Sequence, residues 1–195
     1  MSQPLKKSAF TLIELVAVVA LGSLIFLLIY QMYDASQIIF KQSNTTLELA
    51  QNGRVVLDRL SRELRQAKVI ATPLPADKNQ NGFPPPNSLL FENGHDAATI
   101  QYLRYQLTGN ALHRQVVTYA FAPNPDVYVH YDDVDQFGQR PQETIAEDRV
   151  IAEYISEINF YGSDQVTIEL NLVKKNYHYY LLTTVGGRNA LYGPG

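Results

Sequence analysis

From Phe10 to Tyr30 the chain reads FTLIELVAVVALGSLIFLLIY, an apolar run whose single charge is Glu14. A helix needs about 20 consecutive apolar residues to cross a bilayer, so this run predicts a membrane-crossing helix. From Gln31 to Val69 there is no proline and the pattern becomes amphipathic. Leu47, Leu57, Leu60 and Leu64, with Val56 and Ala67 alongside, recur at three- and four-residue spacing, the signature of one buried helix face. Asp58 with Arg62, and Arg59 with Glu63, place opposite charges four residues apart on the polar face. The pattern therefore predicts one helix from Phe10 to about Val69, with Asn52-Gly53 as its weak point.

The helical pattern stops at a Pro/Asn/Gly-rich loop, Thr72 to Asn87. Alternating strands follow. Thr99 to Leu107 and Leu112 to Phe121 flank the hairpin signal Thr108-Gly109-Asn110. Asp126 to Asp132 reads as a strand, whereas Val150 to Tyr161 fits helical and strand spacing equally. Val166 to Val173 alternates cleanly, and Tyr177 to Val185 alternates with it across Lys174-Lys175-Asn176, a second hairpin. The fold class predicted is α+β: a long N-terminal helix whose second half packs on an antiparallel sheet. Three regions follow, a leader over 1–9, a transmembrane or assembly helix over 10–33, and a head over 34–195 that includes the C-terminal half of the helix.

Composition removes several function classes. The 195 residues include no Cys, which leaves no disulfide framework and no thiolate metal site. Net charge is −3, and loss of Lys6 and Lys7 would take it two charges further, so general affinity for nucleic acid is not expected. His95, His113, His130 and His178 are scattered without metal-ligand spacing, and neither a Gly-x-Ser-x-Gly elbow nor a phosphate loop occurs. No catalysis is expected.

The leader MSQPLKKSA carries Lys6 and Lys7, which by the positive-inside rule keep the N-terminus cytoplasmic and put the chain beyond Tyr30 outside. A secretory signal cut near Ala20-Leu21-Gly22 fits poorly, because the run stays apolar through Tyr30. A plain anchor and an assembly helix remain, and Glu14 separates them. A carboxylate within an apolar membrane helix is costly and marks a functional site by default. No Lys, Arg or His lies between Phe10 and Asp34 to neutralise it, so a plain anchor gains nothing by keeping it.

The string Lys6-Lys7-Ser8-Ala9-Phe10-Thr11-Leu12-Ile13-Glu14-Leu15 resembles the signal of type IV pilins and type II secretion pseudopilins. The resemblance implies cleavage between Ala9 and Phe10 by a prepilin peptidase, N-methylation of Phe10, and pairing of Glu14 with the new α-amine of Phe10 on a neighbouring subunit. Such a pairing acts as a register device, since a buried carboxylate left alone is strongly destabilising. The family usually has Gly where this chain has Ala9. In the head, IQYLRYQLTGNALHR and the closing VTIELNLVKK…YLLTTVGGRN are similar to minor pilins of the W type and J-type minor pseudopilins, which often end near an Arg-Asn such as Arg188-Asn189. Major pilins usually carry a Pro in the apolar run and often a C-terminal disulfide, neither of which this sequence has.

The resemblance implies a minor structural subunit that initiates or joins an extracytoplasmic filament. Its partners would be other pilins or pseudopilins, the prepilin peptidase and an inner-membrane assembly platform. It would be stored in a bacterial inner membrane with its head in the periplasm or outside. The alternative is a filament-tip binding module that captures a surface, DNA or secreted cargo.

One further motif stands apart. Asp77-Lys78-Asn79-Gln80-Asn81-Gly82 matches the first half of a calcium loop, with oxygen ligands from Asp77, Asn79 and Asn81 and Gly82 for the sharp turn. Ser88 stands where the full motif has Glu, so Glu92 or Asp96 would have to complete the shell. The simpler reading of the same residues is a solvated turn.

Overall fold

The computed structural model describes residues 11–95, 99–186 and 191–192, and the chain divides into two compact units, Met1–Asn44 and Thr45–Gly195. The first element is α1, Leu12–Arg65. Within the first unit, its residues from 12 to 44 are exposed almost throughout, Leu12 to 82% and Phe26 to 74%. Within the second unit, α1 buries Leu49, Gly53, Val56, Leu57, Leu60 and Leu64, whereas Leu47, expected on that face, is 57% exposed. The spacing of the buried residues is the apolar stripe that a core-facing helix requires.

Nine strands follow among the described residues: β1 Val69–Ile70, β2 Ser88–Glu92, β3 Tyr102–Thr108, β4 Ala111–Ala120, β5 Gln142–Ala152, β6 Ile155–Tyr161, β7 Val166–Lys174, β8 Tyr177–Val185 and β9 Leu191–Tyr192. They form a six-stranded sheet in the order β5-β4-β3-β2-β1-β9 and a three-stranded sheet in the order β6-β7-β8. All neighbours pair antiparallel except β1 with β9. The chain is an α+β fold in which one helix face is shared by two sheets. Leu49, Val56, Leu60 and Leu64 join one apolar core with Leu89, Phe91, Leu103, Tyr105 and Leu112 of the large sheet and Ile158, Phe160, Ile168, Leu170 and Leu172 of the small one. Each such side chain contributes about 1.5–3 kcal/mol when fully removed from water.

The helix does not break at Asn52-Gly53; it uses the missing side chain. A Cβ on Gly53 would stand 2.3 Å from Leu181 Cδ1 and 3.1 Å from Leu172 Cδ1, so glycine lets the backbone of α1 approach the small sheet. The helix ends four residues earlier than its spacing predicts. Gln66 and Ala67 donate to the carbonyls of Glu63 and Leu64 in a tightened last turn, which frees Val69 and Ile70 to pair with β9 and β2. Strand pairing overrides local helical preference there.

The two expected hairpins are present. Thr108 pairs with Ala111 across Gly109-Asn110, and Lys174 pairs with Tyr177 across Lys175-Asn176, Lys175 taking a φ of 56°. The strand predicted over Asp126 to Asp132 is corrected to a turn-rich segment that touches the sheet through one bridge, Tyr128 to Ala120. Asp133 and Asp135 bind nearby backbone N–H groups and turn the chain away from the ladder. That segment still has a packing role: Val129 and Tyr131 cover a small second cluster of Tyr102, Val117 and Tyr119 on the far face of the large sheet.

Val150 to Tyr161 is neither a helix nor one strand. It contains the end of β5, a corner at Glu153-Tyr154 and all of β6, so the chain crosses there from one sheet to the other. Tyr154 holds a φ of 65°, a strained setting for a residue with a side chain. Its carbonyl accepts from Val173 N–H at 2.7 Å, and the Lys174 ammonium lies 4.3 Å from its ring centre.

Since every member of the main core lies at or beyond Leu49, a chain lacking residues 1–33 should be soluble and unfold cooperatively. Gly53→Val in that shortened chain should lower stability by about 1–3 kcal/mol through overpacking against Leu181. Urea unfolding monitored by circular dichroism checks both.

Candidate functional site

The first turn of α1 is built around Glu14. The backbone N–H and the hydroxyl of Thr11 each donate to Glu14 Oε2 at 2.9 Å, and Glu14 N–H faces Thr11 Oγ1 at 3.4 Å. This is a capping box, in which Thr11 and Glu14 satisfy each other's orphan groups at a helix start. Glu14 therefore has hydrogen-bond partners in its own segment, none of them cationic. The Thr-x-x-Glu spacing in the first residues of the apolar run is the sequence signal for this box. Both donors are neutral, so they satisfy lone pairs without cancelling the charge. Among the described residues, no Lys, Arg or His side chain bonds to Glu14.

Beyond this turn the helix offers an apolar surface with few polar features. Its one hydroxyl between Leu12 and Ile29, Ser23, donates back to Val19 O at 2.8 Å. The segment is long and apolar enough to cross a membrane. Ala9 and Phe10 lie outside the described residues, as do Asp96, Arg188 and Asn189.

The 77–82 loop folds as a turn tied to the head. Asp77 Oδ1 accepts from Asn79 N–H at 2.8 Å, Gln80 Oε1 accepts from Ala76 N–H at 2.7 Å, and Gly82 takes a φ of 78°. Lys78, which the sequence reading gave no role, reaches Glu169 on β7 at 2.6 Å. Glu169 is almost fully buried and also accepts from Asn159 at 3.3 Å. Glu92, offered as a completing ligand, is buried on β2 with Lys68 at 3.1 Å and His130 Nδ1 at 3.5 Å. No group of three or more His, Asp or Glu side chains suited to a metal ion occurs among the described residues. Asp77, Asn79 and Asn81 thus share a turn, while Glu92 is held by other partners.

The histidines are also dispersed. His113 Nδ1 is 2.8 Å from Asp148 Oδ1, His130 Nδ1 is 3.3 Å from the Tyr102 hydroxyl, and His178 is exposed on β8. His95 lines a cleft of about 670 Å³ with Arg59, Arg62, Glu63, Leu103 and Arg114. Its charges are largely matched: Glu63 accepts from Arg59 at 3.3 Å, from Arg114 at 3.0 Å and from the Tyr105 hydroxyl at 2.6 Å. Arg59 to Glu63 is one of the two helical pairs expected. Asp58 and Arg62 line the same cleft without an ion pair to each other.

Burial, and then donation to Glu63, push the Tyr105 phenol far above its ordinary range. Burial does the same to Tyr102 and raises Tyr119 to about 12. On the outer face of the large sheet, Arg104 grips Glu143 at 2.6 and 2.5 Å and holds its carboxyl below the usual value.

No family model, no curated protein and no solved structure matches this chain.

Two predictions follow from the head's polar groups. Asp77→Ala should remove the turn's side-chain bond and cost about 0.5–1.5 kcal/mol, equally in chelator and in millimolar calcium. A calcium-dependent rise in the wild-type thermal midpoint, absent from that variant, would instead identify the loop as a calcium site. The raised tyrosines set an alkaline limit. An unfolded tyrosine ionises near pH 10, whereas the folded ones hold their protons above it. Their stabilisation is therefore complete below about pH 10 and is lost as pH rises beyond it. Urea midpoints of the chain lacking residues 1–33 should be level to about pH 9.5 and then fall, less steeply for Tyr105→Phe.

Proposed function

We propose that this chain is a minor pilin or pseudopilin, a non-catalytic subunit of an extracytoplasmic type IV filament, stored in a bacterial inner membrane before assembly. The observation that carries the reading is the charge of Glu14 at the head of an exposed apolar helix, with only neutral partners among the described residues. A capping box needs an acceptor there, and Gln serves that purpose as well as Glu. A carboxylate within apolar surroundings requires in addition a cation, which a subunit's new N-terminal amine would supply on assembly. The basic leader and Ala9-Phe10 are consistent with that amine being generated by a prepilin peptidase and then methylated.

The exposed apolar surface from Leu12 to Phe40 supports the same reading, because it calls for a bilayer before assembly and other helices after it. The head contributes a compact module on the far half of the helix. The partners are accordingly other subunits of the filament, the peptidase and the assembly platform.

The test separates the charge from the cap. Intact mass of membrane-extracted protein should give a chain beginning at methylated Phe10. Glu14→Gln keeps the capping bonds and removes the charge, while Glu14→Val removes both. Both variants should insert and be cleaved normally, and both should be depleted at least tenfold from sheared filaments. If Glu14→Gln incorporates like the wild type, Glu14 is a cap alone and the register role fails.

A further inference from the structure

The sheet edges of the head are not treated alike. A free edge offers a row of unpaired N–H and C=O groups to any other extended chain, and proteins ordinarily blunt it with charge, bulges, brevity or a covering loop. β5, at one end of the large sheet, carries Glu143, Glu147, Asp148 and Arg149 and is interrupted by two register shifts. β9, at the other end, has two residues. β6 is covered, since Phe160 N–H donates to Pro86 O at 3.3 Å and Gly162 N–H donates to Pro75 O at 2.8 Å.

β8 has none of these protections. It pairs with β7 over all nine residues without a register shift, and among the described residues nothing pairs with its other side. From Tyr177 to Val185 it contains no Asp, Glu, Lys, Arg or Pro. On its outward face Tyr180 is 52% and Leu182 53% exposed, flanked by His178 and Thr184.

We propose that β8 is an interaction edge for β8 of a second copy of this chain, the two strands pairing antiparallel about a two-fold axis at Leu181. The backbone requires an extended partner, and a second copy necessarily brings the same unpaired edge, so one contact satisfies both. A two-fold centred on a residue keeps opposed side chains on the same face of the joined sheet. Tyr180 then faces the partner's Leu182 and His178 faces the partner's Thr184 on the outer side. Tyr179 faces the partner's Thr183 on the core side. These are aromatic-aliphatic and polar pairs of the favourable kind, and no like charges are opposed. The contact is isologous and closed. It goes beyond the filament reading and does not rest on it. A single strand pair buries less than a standard interface, so the association should be weak and concentration-dependent.

The test uses the full chain in detergent, where sedimentation should show a monomer–dimer equilibrium. Leu182→Lys and Tyr180→Glu, each at an exposed position, should each weaken dimerisation at least tenfold under conditions where circular dichroism shows the variant fully folded. Mixing the two variants should restore pairing, because positions 180 and 182 oppose each other across the axis. The chain has no native Cys, so Tyr180→Cys and Leu182→Cys chains with different tags should form the mixed disulfide several-fold more readily than Glu147→Cys with Asp148→Cys on β5. Dimers insensitive to both charge substitutions, a monomer at all concentrations, or cross-linking to a different membrane protein alone would overturn the proposal.

Discussion

The head depends on one constraint, that the apolar stripe from Leu49 to Leu64 must be buried by two sheets at once. The small sheet offers Ile158, Phe160, Ile168, Leu170 and Leu172, the large one Leu89, Phe91, Leu103, Tyr105 and Leu112, and both sets join one core with the helix. Gly53 follows from this: a helix wedged between two sheets must come close to one of them, and a side chain at that position would meet Leu181. The strained corner at Tyr154 follows as well, because the chain must leave one sheet and enter the other within two residues.

Polar groups then fasten what the core has placed. Glu63, on the helix, gathers Arg59, Arg114 and Tyr105, and so ties α1 to β3 and β4 at the rim of the core. Lys78 reaches the nearly buried Glu169 and, with the carbonyls of Pro75 and Pro86, holds the long loop along the edge of β6. A buried carboxylate whose cation is removed is strongly destabilising, so these contacts specify position more than they add net stability. The loop singled out for its oxygen ligands thus has a clear structural task, covering an edge, whatever else it binds.

The first unit follows different physics. From residue 12 to 44 the helix has no core of its own, and its exposed Leu, Ile, Val and Phe side chains make a segment long and apolar enough to cross a membrane. Thr11 and Glu14 begin it with a capping box, which satisfies the carboxylate's lone pairs locally through neutral donors. Among the described residues of the head, β8 is a long sheet edge that neither charge nor loop protects.

By itself the sequence determined the features governed by local periodicity and turn chemistry. These were the apolar run, the helical stripe, the clean alternation of β7 and β8, and the turns at Gly109-Asn110 and Lys175-Asn176. It also held the Thr11 to Glu14 cap, legible in the Thr-x-x-Glu spacing. Tertiary structure alone decided the rest. β5 is exposed nearly throughout and becomes a strand because β4 offers it a ladder. Val69 and Ile70 leave the helical pattern because two strands compete for them. Segment 126–132 lost its strand because Asp133 and Asp135 drew the backbone into turns. Which carboxylates are matched, and which sheet edge is left open, depends on contacts between residues far apart in the chain, and no local pattern encodes those distances.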